Sequence, residues 1–107
     1  MNDRELLEKA AKAAGYAIEP HINAKVFRDL HFSLNGRNWN PLTDDGDALR
    51  LAVMLRIRIT PGEVQSSASW WVAPDFITEA FVTEMNGTDP AAATRRAITR
   101  AAAGETE

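Results

Sequence analysis

The chain predicts an α+β domain, a layered sandwich of a mainly antiparallel sheet with three helices. Three observations carry that expectation. Apolar residues recur at helical spacing near both ends and once in the middle. Between these segments run stretches of period-two alternation. Asn-Gly and Pro-Gly pairs separate the stretches, and such turns join antiparallel strands. A length of 107 residues suits one domain.

The first helix is expected over 3–14. Leu6, Leu7, Ala10, Ala11 and Ala14 share one face. Glu5–Lys9 and Glu8–Lys12 are favourable i,i+4 pairs on the other, and Gly15 is a C-terminal stop. Tyr16-Ala17-Ile18 reads as a short strand ended by Pro20. Hairpin strands follow over about 26–40. From Val26 to Leu34 the pattern sends Leu30, Phe32 and Leu34 one way and Asp29, His31 and Ser33 the other. Asn35-Gly36 tolerates positive φ at both positions and turns the chain into Arg37–Asn40.

Pro41 stops that strand, and Thr43 or Asp44 caps a second helix over 44–56. Ala48, Leu49, Leu51, Ala52, Val53 and Leu55 cover a wide arc, so this helix is expected to be largely buried. Gly46 weakens its first turn by ~1 kcal/mol relative to Ala. Strands are expected over about 57–85: Ile57–Thr60, then Val64–Val72 after the Pro61-Gly62 turn, then Phe76–Met85 after Pro74-Asp75. The last is ambiguous by period, and its Ile77, Thr78, Val82 and Thr83 favour strand. After Asn86-Gly87, Asp89-Pro90 is a helix start, with an N-cap acid and proline at the first position. The third helix covers 90–103, with an inner face of Ala91, Thr94, Ala97, Ile98 and Ala101 small enough to lie close on a sheet. Residues 104–107 form a short tail.

Composition narrows function. There is no cysteine, which excludes disulfides, thiol nucleophiles and Cys-ligated zinc. The formal net charge of −3 gives no general pull toward nucleic acid. No run approaches the ~18 apolar residues of a membrane span, and the start is polar, so a cytoplasmic location is expected. Phosphate-loop, dinucleotide and nucleophile-elbow motifs are absent from the sequence. His21 and His31 lie too far apart for a helical metal pair, and no cofactor is expected.

Three clusters remain. Asp44, Asp45 and Asp47 around Gly46 resemble part of a calcium loop, but Leu55 stands where that loop needs glutamate. Acids there also complement a helix N-terminus, so the expected role is structural, with Thr43 and Asp44 as the cap over a packed Trp39. Arg95, Arg96 and Arg100 form a basic cluster whose simplest role is a solvated helix face. Trp70 and Trp71 are adjacent, so in a strand they face opposite sides. If helices cover both sides, both rings are core. If one side is open, one ring marks a binding surface. Trp70, Trp71, Arg96 and Arg100 are therefore the candidate interaction residues.

The segments LLEKAAKAAGY, WNPLTDDGDALRLAVML and DPAAATRRAITRAAA, in that order, resemble a group of small phage and prophage proteins of unknown function associated with a phage αβα-sandwich domain. The resemblance spans most of the chain and leaves out roughly Ile59 to Asn86. It implies an origin in a tailed phage or prophage of a Gram-negative host, together with a layered fold. It brings no activity and no site residues. The expectation that follows is a non-enzymatic accessory protein that binds a host or phage protein. The alternatives are a nucleic-acid-binding regulator using Arg95, Arg96 and Arg100, and a small metal-dependent protein using Asp44 to Asp47.

Overall fold

In a computed structural model, residues 2–22, 30–71 and 79–105 are described. Among the described residues, three helices and two three-stranded antiparallel sheets alternate, an α+β architecture. The elements are α1 (Asp3–Ala14), β1 (Glu19–Ile22), β2 (Leu30–Leu34), β3 (Arg37–Trp39), α2 (Asp45–Leu55), β4 (Arg58–Thr60), β5 (Gln65–Trp71), β6 (Glu79–Met85) and α3 (Pro90–Ala102). The antiparallel strands divide into two meanders, β1-β2-β3 and β4-β5-β6. The expected strand residues 26–29, 72 and 76–78 lie outside the described residues.

Helix α3 is the centre. It packs on β5 and β6 on one side and on α1 and α2 on the other. Burial on two sides explains its composition. Ala93, Ala97, Ile98, Thr99, Ala101 and Ala102 are all buried, and alanine lets both layers approach closely. The expected inner face is corrected accordingly: Ala91 is exposed and Thr94 half-buried, while Ala93, Thr99 and Ala102 join the core. Buried Thr99 satisfies its hydroxyl by donating to the Arg95 carbonyl at 2.9 Å.

The first sheet adds Phe32 and Trp39, which pair across β2 and β3 and are both buried. Tyr16 meets Trp39 edge-on, with ring centres 6.0 Å apart at 81°. Asn35 and Gly36 both take positive φ, as a two-residue primed turn requires. The strand expected at Tyr16–Ile18 lies further on. β1 begins at Glu19 and contains Pro20 opposite Phe32. An edge strand is where a missing N–H is tolerated.

In the second sheet, Ser66, Ala68, Val82 and Ile59 turn toward α3, and the register puts Trp70 on that same side. The opposite side carries exposed Phe81 and Met85. At the end formed by the β4–β5 connection and the end of β6, a buried network closes the sheet. Ser66 Oγ donates to Asn86 Oδ1 at 2.8 Å, and Asn86 Nδ2 donates to the Gly62 carbonyl at 2.7 Å.

Two expectations about α1 and α2 are corrected. Glu8 is taken by Arg4 at 2.9 Å, and neither lysine pair of α1 closes among the described residues. More consequential, α2 is not largely buried. Asp47, Ala48, Leu51 and Ala52 face inward, but Leu49, Val53 and Met54 are 57%, 70% and 55% exposed. A helix lying across the outside of α3 has one inner stripe, whatever its composition.

Candidate functional site

The polar turn before α2 is built from its own backbone outward. Asn40 Oδ1 accepts from the Leu42 N–H, and the Asn40 carbonyl accepts from Asp44 N–H, so the chain reverses around buried Pro41. Asp44 is the N-cap: its Oδ2 accepts the Asp47 N–H at 2.8 Å. Thr43 is exposed and contributes a backbone N–H to the Asn40 carbonyl. Asp47 reaches back to the Asn40 N–H at 2.9 Å and takes Arg50 at 2.9 Å. That hydrogen bond, with the nearby carboxylates, raises the Arg50 pKa above the ordinary arginine value. Asp45 pairs with Arg95, which also donates to the Leu42 carbonyl.

An open cleft of about 800 Å³ lies beside this turn, lined by Tyr16, Asn38, Asn40, Asp44 and Arg50 among others. Its acids are spent on backbone donors and guanidinium groups. Among the described residues no three His, Asp or Glu side chains gather as a metal ion would need. Gly46 leaves room here, since a Cβ would lie 3.0 Å from the Arg50 guanidinium.

The arginines of α3 do not form the solvated face expected of them. Arg96 donates to Asp3 at 2.9 Å and lies 3.5 Å from Glu84. Arg100 donates to Glu84, Glu105 and the Thr83 carbonyl, each at 3.0 Å. Burial disfavours the Arg100 charge, but Glu105 and Glu84 outweigh it and raise its pKa. These side chains tie α3 to α1, to β6 and to its own C-terminal end.

Trp70 is half-buried against the core. Trp71 ends β5 opposite Glu79, and its side chain lies outside the described residues. Trp70 leads to a second cleft, of about 310 Å³, between the C-terminal half of α2 and the β4–β5 corner. Leu49, Val53, Ile57 and Trp70 line it, with Arg56 and Arg58. Leu49, Val53 and Arg56 follow one another at four- and three-residue steps, so they form a single stripe of α2 and its cap. The stripe was not singled out from the sequence. Its signal was the surplus of apolar residues in α2, more than one buried stripe can use.

Among the described residues no helix is long and apolar enough to cross a membrane. Comparison with protein-family models, curated proteins and solved structures finds no match to this chain.

Proposed function

We propose that the chain is a non-enzymatic accessory protein, of phage or prophage type, that works in the host cytoplasm by binding a host or phage protein. The phage origin rests on the sequence resemblance alone. Protein binding rests chiefly on one observation: α2 exposes Leu49 and Val53, one turn apart, in the lining of a cleft shared with Trp70, with exposed Met54 following Val53. Apolar side chains left in water side by side on one helix mark a surface that a partner covers. A half-buried tryptophan in the lining of a cleft is a common anchor for such contacts.

The nucleic-acid reading has less behind it. Each guanidinium of α3 already has a carboxylate partner within the chain. Binding DNA through them would break those pairs.

The test is capture from host lysate with the wild type and with Val53→Asp side by side. Val53 is exposed, so the variant should fold with an unchanged melting temperature. A protein retained by the wild type and lost by the variant supports the reading. One retained equally by both overturns it.

A further inference from the structure

We infer that the α2 cleft selects a partner segment of acidic, amphipathic character, an apolar helical stripe flanked by Asp or Glu; this rests on the protein-binding reading of the same surface. Three observations carry it.

The first is charge. The chain is acidic overall, at −3, yet the described residues lining this cleft include two arginines and no acid. Arg56 has no carboxylate within ion-pair distance among the described residues, unlike Arg50, Arg95, Arg96 and Arg100. Arg58 is already engaged within the chain and still contributes to the same rim. A cationic rim around an apolar floor complements an acidic segment with apolar anchors.

The second is backbone. All three helices end the same way, with one residue in the left-handed region and paired bonds back to the last turn. α1 uses Gly15 at φ 75° and α3 uses Gly104 at φ 79°. α2 uses Arg56 at φ 55°, closed by Arg56 N–H to the Val53 carbonyl and Ile57 N–H to the Ala52 carbonyl. Glycine suits that position best, and a side chain there is strained. From that position Arg56 lines the cleft, and strained residues gather at binding sites.

The third is shape. About 310 Å³ is at the low end for an enclosed small-molecule site. The exposed stripe of Leu49 and Val53 forms part of its lining, which suits an anchor side chain on a helix lying alongside α2. Apart from Trp70 the apolar lining is aliphatic, so a nucleic-acid strand would find a single ring to stack on. A second copy is disfavoured, because an isologous contact would bring the same cationic rim against itself.

The experiment selects random helical peptides by display on the full chain. Affinities of the recovered peptides are then measured for the wild type, Val53→Asp, Arg56→Glu and Arg56→Gly at low and high salt. Recovered peptides should carry spaced apolar residues with Asp or Glu beside them. Their affinity should fall ~10-fold or more in Val53→Asp, a core position of the surface. It should fall several-fold in Arg56→Glu and Arg56→Gly, and also with added salt. Arg56→Gly should melt no lower than the wild type, because it removes strain along with the charge. A purely structural Arg56 would instead lose stability.

Apolar peptides without acids, lost in Val53→Asp but indifferent to Arg56→Glu, would overturn the charge inference and leave protein binding standing. Peptides indifferent to Val53→Asp, or none recovered, would overturn both. A dimer seen by sedimentation and dissolved by Val53→Asp would replace the occupant with a second copy. Single-stranded DNA bound by the wild type and lost by Arg56→Glu would replace it with nucleic acid.

Discussion

At the scale of residues, Asp44 and Asp47 each accept one backbone N–H at the start of α2. Asp44→Ala removes the acceptor for Asp47 N–H and should cost ~0.5–2 kcal/mol in urea unfolding. Thr43→Ala should stay within about 0.5 kcal/mol of the wild type, since the exposed Thr43 contributes only backbone to the turn. Equal costs for the two would show that Thr43 shares the cap. A larger loss is expected at Asn86. It is buried, and its amide joins Ser66 to the Gly62 carbonyl. Asn86→Ala strands both partners and should cost ~1–3 kcal/mol. Gly62 next to it has no room for change, as a Cβ would sit 2.3 Å from the Gln65 carbonyl oxygen. The cap was legible in the sequence because Asp before a helix has a local meaning. The Asn86 network was not, because Ser66 and Asn86 are twenty residues apart and only the β5–β6 pairing brings them together.

At the scale of elements, α3 is the tightest constraint. Its alanines touch a sheet on one side and two helices on the other. Ala97 is fully buried, and Ala97→Leu should destabilise by ~1–3 kcal/mol by forcing the layers apart. A neutral outcome by thermal melting would mean that α3 has a looser side. The position of all three helices was readable from periodicity and cap residues. Helix α2 was the exception in burial. Its composition is apolar nearly all round, and periodicity cannot say whether a surplus apolar face meets its own chain or another.

For the whole molecule, the arginines of α3 are spent on internal ties. Asp3 to Arg96, Asp45 to Arg95 and Glu84 to Arg100 each join segments far apart in sequence. These pairs bind α3 to its neighbours more than they present a field to solvent. No sequence-specific DNA binding is therefore expected at physiological salt. A gel shift lost in Arg96→Ala, Arg100→Ala protein would contradict that. The paired strands agree with the alternation read from the sequence, but their division into two meanders does not follow from it. Local pattern names neighbours along the chain and leaves open where a sheet ends.

The sequence by itself determined the class of fold, the three helices, the Asn35-Gly36 hairpin and the Asp44 cap. Each depends on residues within one or two turns of each other, so the physics is local. Tertiary structure alone decided that α3 lies between layers, that the arginines of α3 are consumed in ion pairs, and that Leu49, Val53 and Arg56 remain outside beside Trp70. Those outcomes depend on which surfaces meet. A residue's own chemistry gives its preference for burial or charge pairing, but only the packed chain says whether a partner is within reach.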